Sequence, residues 1–121
     1  MQIIAILAAV LAPVAVTAQL HNLAVGAGLK YFGIAVGESA VGSDSTYRAL
    51  VNNKNEFGQL VPENGQKWDS LEPSRGNFNY QQGDIVPNVA KANGQLLRCH
   101  ALVWHSQLPG WGEFTSNVLV R

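Results

Sequence analysis

Twelve consecutive residues, HALVWHSQLPGW from His100 to Trp111, hold two histidines, two tryptophans, a glutamine and a serine, with no lysine, arginine or carboxylate among them. A second polar cluster, Glu63, Asn64 and Lys67, stands upstream in PENGQKW. Asn64, Lys67, His100 and Gln107 offer donors and acceptors suited to hydroxyl groups, while Trp104 and Trp111 offer flat apolar faces. Sugars carry hydroxyls at their edges and C–H groups on their faces. A neutral carbohydrate is therefore the ligand that uses both kinds of group.

Other chemistries fit the spacing less well. A metal site built from His100, His105 and Glu63 lacks the H-E-x-x-H spacing, and strand residues five apart face opposite sides. Ser106 lacks the G-x-S-x-G elbow that exposes a nucleophilic serine. The G-x-G of GAGLKYFG precedes a strand, whereas a dinucleotide fingerprint follows one. Retaining glycoside hydrolysis needs two carboxyl groups about 5–5.5 Å apart, one as acid and one as nucleophile. Glu38 and Glu63 are the pair that the topology below brings closest to that role, and spacing alone leaves their pairing open.

The elements that must position these groups alternate in type. KYFGIAVG reads as a buried strand, Lys30–Gly37. SDSTYRALVNNK reads as a helix capped by Ser43 or Asp44, with Tyr47, Leu50 and Val51 on its apolar face. FGQLV, Phe57–Val61, is a second strand stopped by Pro62, and a polar segment rich in turn formers follows it. In GDIVPNVAKANG, Asp84 is expected to cap a helix whose face is Ile85, Val89 and Ala92. Pro87 falls in its first turn, and Gly94 supplies a left-handed stop. LLRCHALVW then gives a third strand, Leu96 to about Val103. Strands alternating with helices across short connections imply an α/β fold of parallel strands and right-handed crossovers. In such sheets and barrels functional groups gather beyond the carboxyl ends of the strands. Glu38, the Glu63–Lys67 cluster and the His100–Gln107 stretch fall there, one cluster per strand.

Composition narrows the partner. The chain has 121 residues, 47% apolar and 13% charged, which describes one globular domain. Eight basic side chains balance eight acidic ones, so there is no basic stripe for nucleic acid or an anionic membrane. Residues 1–18 carry no charged side chain and close on Val16-Thr17-Ala18, the pattern of a secretory signal peptide; secretion to the extracellular space is expected. Pro13 interrupts a run already shorter than the roughly 20 residues a membrane span needs. Cys99 is the single cysteine, so it is a free thiol or has a partner outside this sequence.

The segments LVPENGQKWDSLEPSRGNFNY and RCHALVWHSQLPGW resemble glycoside hydrolase family 10, the secreted endo-1,4-β-xylanases, and the resemblance runs from Leu29 to about Trp111. It implies a (β/α)8 TIM barrel of which about the first three β/α units are present, cleaving xylan with retention and without cofactor or metal. Xylan or xylo-oligosaccharide is the implied partner, with no nucleic acid, membrane or obligate protein partner. Position by position, Glu63, Asn64 and Lys67 match the family's sugar-binding residues after strand two. His100, Trp104 and Gln107 match those around strand three, near the cleavage point and one sugar toward the non-reducing end. Trp68 matches a packing position and His105 an inner-shell partner. Cys99 stands where relatives commonly have glycine, and Pro87 where an apolar helix former is expected. The family's acid/base glutamate lies in an Asn-Glu motif after strand four and its nucleophile after strand seven, and neither has a counterpart here. The expected organisation is a signal peptide, 1–18, and an incomplete catalytic barrel, 19–121, inactive by itself. A non-catalytic carbohydrate-binding fragment is the alternative.

Overall fold

The computed structural model describes residues 18–112. The expected signal peptide, apart from Ala18, lies outside the described residues, as does 113–121. Three strands, β1 (Gly33–Val36), β2 (Gln59–Pro62) and β3 (Leu96–Leu97), form one parallel sheet in the order β1-β2-β3. Val36 pairs with Pro62, and Gln59 with Leu96. Each expected strand is present and shorter than its apolar run.

β3 departs furthest from expectation, ending at Leu97 instead of near Val103. Its last bond to the sheet runs from the Arg98 N–H to the Leu60 carbonyl, 2.9 Å. Pro62, two residues on, has no N–H to continue that ladder. On the β1 side the proline is harmless, because the next amide, Glu63 N–H, donates to the Val36 carbonyl at 3.1 Å. Pro62 therefore sits inside β2 as its last residue and does not stop the strand before itself.

Six helical elements surround the sheet: α1 (Leu20–Gly26), α2 (Glu38–Ser43), α3 (Ser45–Val51), α4 (Trp68–Leu71), α5 (Ile85–Asn93) and a 3-10 turn, Gly110–Gly112. Of the two candidate caps for α3, Asp44 takes the role: its Oδ1 accepts from the Thr46 and Tyr47 amides at 2.8 and 3.0 Å. Ser43 instead closes α2, donating to the Ser39 carbonyl at 2.9 Å. The α3 face is narrower than expected, since Val51 is buried and Tyr47 half-buried while Leu50 is 48% exposed. On α5 the buried residues are Val86 and Ala90, with Ile85 and Val89 at the margin and Ala92 exposed. The apolar stripe is thus rotated by one residue, about 100°, from the expected one. Asp84 has helical backbone angles and makes no capping bond, whereas Gly94 adopts the expected left-handed stop at φ 65°.

Val36, Leu60, Val51, Val86, Val41, Phe57 and Ala90 make the core on one face of the sheet. Alternation along the strands turns Ala35 and Val61 to the other face, where they floor a cleft. Gln95 ties the elements at the amino ends of the strands, its Nε2 donating to the Val51 and Phe57 carbonyls at 2.8 and 2.7 Å. Among the described residues no helix is long and apolar enough to cross a membrane.

Truncating the fully buried Leu60 to alanine is expected to cost about 2–5 kcal/mol, whereas Leu50→Ala stays within about 0.5 kcal/mol. Urea unfolding followed by circular dichroism checks both. Equal losses would contradict the placement of α3.

Candidate functional site

The loop after β2 is shaped by a carboxylate from the neighbouring element. Glu38, the first residue of α2, is 6% exposed, and its Oε1 accepts the Gly65 amide at 2.7 Å and the Asn64 amide at 3.2 Å. Those two backbone donors replace the water a carboxylate loses on burial. The approach is too close for a side chain at position 65: a Cβ on Gly65 would stand 2.6 Å from the Gln82 carbonyl oxygen and 2.8 Å from Glu38 Oε1. Glu38 is therefore a structural anchor. Glu63 stands exposed beyond β2, its Oε2 beside Gly37. Both residues border one cleft, yet the Glu38 lone pairs are engaged with amides and are not presented to a substrate. The pair left open by the sequence is not an acid and nucleophile couple.

Lys67 is the hub of the site. It immediately precedes α4 and is 7% exposed. Its Nζ donates to Asn64 Oδ1 at 2.8 Å and to Gln107 Oε1, and it lies 4.6 Å from the centroid of the Trp104 ring. An ammonium has three donors, so one remains for a ligand. Neutral amide oxygens and an aromatic face stabilise the charge without cancelling it. Four residues named from the sequence, Asn64, Lys67, Trp104 and Gln107, thus meet at one atom.

Beside them opens a cleft of about 480 Å³, floored by Ala35, Val61 and Pro62 and walled by Glu63, Asn64, Lys67, Arg98 and His100; Trp104 and Gln107 contact Lys67 but do not line it. His100 is exposed; its backbone N–H donates to Gln66 Oε1 at 3.4 Å, its peptide bond to Ala101 is cis, and its ring tilts toward Trp104 at 6.5 Å. His105 meets the other side of Trp104 edge-on at 5.7 Å, with its Nε2 3.1 Å from Ser106 Oγ. Among the described residues no group of His, Cys, Asp and Glu is placed to hold a metal, and no carboxylate hydrogen-bonds His105. Sequence reasoning missed Arg98, whose side chain reaches the cleft from the end of β3. Its signal was present: it lies two residues before His100, on the same side of an extended chain.

Trp111 is displaced from its expected role. Its Nε1–H donates to the Glu72 carbonyl at 2.9 Å, and its ring meets Trp68 at 5.3 Å and 88°. The Arg75 guanidinium lies 5.3 Å from the ring centroid. These contacts engage its N–H and its ring, and Trp111 does not line the cleft. Trp68 packs here as expected, donating its own N–H to Glu72 Oε2 at 2.9 Å. That bond, then the Gly76 amide and the charge of Arg75, hold the Glu72 carboxyl below its ordinary 4.5.

Parallel strands joined by helices, with polar side chains gathered past their carboxyl ends, define an α/β unit of the kind that builds β/α barrels, with a polar cleft on that side. The family model of Glycosyl hydrolase family 10 matches residues 19–118, and the chain belongs to that family. It is 64% identical over 104 residues to endo-1,4-beta-xylanase 1 of Humicola insolens, covering 86% of this chain and 24% of the relative. Endo-1,4-beta-xylanase 5 of Pyricularia oryzae is 50% identical over 97 residues, covering 80% and 24%. The GH10 xylanase from Bispora sp. MEY-1, crystallised with xylobiose, superposes with a TM-score of 0.70 at 32% identity, covering 83% of this chain and 32% of that one. Xylanase 10B from Thermotoga petrophila RKU-1, also with xylobiose, gives 0.67 at 32% identity, covering 83% and 31%. The chain spans about a quarter of the length of the curated relatives it matches. Its three strands are the first β/α units of the family's TIM barrel.

Because the Glu72 pKa is depressed in the folded state, the stability it contributes is complete above 4.5 and is lost as pH falls through the folded value. The melting-temperature gap between the native protein and Glu72→Gln is expected to hold steady from neutral pH to about 4.5 and to shrink below it. A gap that stays constant down to strong acid would contradict this assignment.

Proposed function

We propose that this chain supplies the sugar-binding side of the active site in a secreted, retaining endo-1,4-β-xylanase. The observation that carries the reading is the Lys67 ammonium, held by Asn64 and Gln107 and lying against Trp104 while keeping a donor free. A xylose unit in the cleft would meet Lys67, Asn64, His100 and Glu63 with its hydroxyls, with Gln107 and the Trp104 ring beside it at Lys67. The strong identity to named endo-1,4-beta-xylanases and the likeness to xylobiose-bound structures support that choice of sugar.

Each of these groups binds and orients; none is placed to protonate a leaving group or attack an anomeric carbon. Retention needs a carboxyl pair about 5–5.5 Å apart. The family's two glutamates, after strands four and seven, have no counterpart in the 121 residues. The Asn55-Glu56 dipeptide does not replace them: it precedes β2, and Glu56 accepts the Gln19 and Leu20 amides at 2.7 and 3.3 Å, at the amino end of α1. Binding energy collected here would hold the glycone side of xylan in register with carboxylates from the rest of the barrel. A non-catalytic carbohydrate-binding role is the second reading, and it rests on the same cleft without that pair.

Two measurements separate the readings. In the complete enzyme, Lys67→Ala and His100→Ala are each expected to lower kcat/KM on xylan by about 5- to 150-fold, the worth of about 1–3 kcal/mol for a hydrogen bond involving a charged or buried group. Unchanged values in both would remove the site assignment. Purified residues 19–121 alone are expected to release no reducing ends from xylan. Turnover abolished by Glu63→Gln would show that the chain carries its own catalytic carboxylate.

A further inference from the structure

The stretch from Cys99 to Gly112 carries Trp104 and Gln107, yet it has left the sheet. Among the described residues, every hydrogen bond that ties it to the body of the chain lands between Gln66 and Glu72: His100 N–H to Gln66 Oε1, Lys67 Nζ to Gln107 Oε1, and Trp111 Nε1–H to the Glu72 carbonyl. The first is long at 3.4 Å, and the second belongs to the sugar site itself. The third, 2.9 Å, is the anchor that lies outside the cleft.

Glu72 organises that anchor with three acceptor positions. Its Oε2 takes the Trp68 indole N–H at 2.9 Å, its Oε1 takes the Gly76 amide at 2.7 Å, and its backbone carbonyl takes Trp111. Trp68 then presses edge-on against Trp111, and the 3-10 turn packs so closely that a Cβ on Gly112 would lie 3.4 Å from Trp68 Cη2. Neither Glu72, Trp68 nor Trp111 lines the cleft.

We infer that Glu72 is a positioning residue for the sugar site: by fixing Trp68 through its carboxylate and Trp111 through its carbonyl, it holds the loop after β3 so that Trp104 and Gln107 meet Lys67. The inference rests on the sugar-binding reading above. It makes two probes informative, of which Glu72→Gln is near-isosteric. Glutamine has one carboxamide oxygen where Glu72 uses two, so Glu72→Gln turns an NH2 group toward either Trp68 or Gly76, both donors. Trp111→Phe keeps an aromatic ring, removes the N–H to the Glu72 carbonyl and gives up part of the indole's contact with Trp68 and Arg75.

The test is a set of steady-state measurements on xylotetraose with the complete enzyme carrying Gln107→Ala, Trp111→Phe, Glu72→Gln, and each of the last two combined with Gln107→Ala. Trp111→Phe and Glu72→Gln are expected to raise KM by about 3- to 10-fold with kcat nearly unchanged, the worth of one hydrogen bond. On the Gln107→Ala background each should have a smaller effect than alone, because part of the contact they position is already gone. Wild-type kinetics in either single variant, or effects that multiply fully with Gln107→Ala, overturn the inference while leaving the sugar site intact. A Gln107→Ala variant with wild-type kinetics instead overturns the sugar-site reading. If Glu72→Gln fails to fold, the Trp111→Phe cycle decides alone.

Discussion

A single ammonium group organises this half of a binding cleft. Lys67 is buried, and burial takes from its ammonium the water that only other polar groups can replace. Asn64 and Gln107 supply oxygens, and Trp104 supplies a π face. These partners come from two loops that follow different strands, so the charge is satisfied only when both loops are in place. Because the partners are neutral, the arrangement solvates the cation without neutralising it, and one of its three donors is left over.

The rest of the structure serves to bring those loops to one place. Parallel strands put their carboxyl ends on one side, and the β2 and β3 loops leave from adjacent positions. On the β1 side, Glu38 fixes the start of the β2 loop through the Asn64 and Gly65 amides. On the β3 side no ladder continues past the Arg98 amide, because Pro62 lacks the donor that would carry it on. Side chains take over where backbone pairing stops, with Glu72, Trp68 and Trp111 forming the outer support. The polar groups of the cleft are thus held by polar and aromatic contacts around its rim, while the aliphatic core lies on the opposite face of the sheet.

Much of this was legible in the residues. Strand, helix, strand, helix, strand followed from apolar runs and turn formers, and the Gly94 stop and the Asp44 cap from local backbone chemistry that needs no distant partner. The Lys67, Asn64, Trp104 and Gln107 cluster was legible because donors, acceptors and flat rings of that mix suit one ligand class. The boundaries were less so. The apolar run from Leu96 to Val103 read as one strand, and the α5 stripe was misplaced by one residue, because burial depends on what packs opposite and not on the helix's own spacing.

Two pairs of residues show most clearly what only tertiary structure decided. Trp111 and Trp104 are the same residue type seven positions apart in one motif, yet one is enclosed by Trp68, Arg75 and Glu72 and the other faces the Lys67 ammonium. Glu38 and Glu63 both follow strands, yet one is spent on backbone amides and the other is exposed. The sequence by itself determined the alternation of strands and helices and the side of the sheet on which the polar clusters gather, because these depend on residue type and short-range spacing. Which aromatic is a platform and which a strut, and which carboxylate is free, was decided by the fold. A side chain's role is set by the groups that satisfy it, and those come from parts of the chain that only folding brings near.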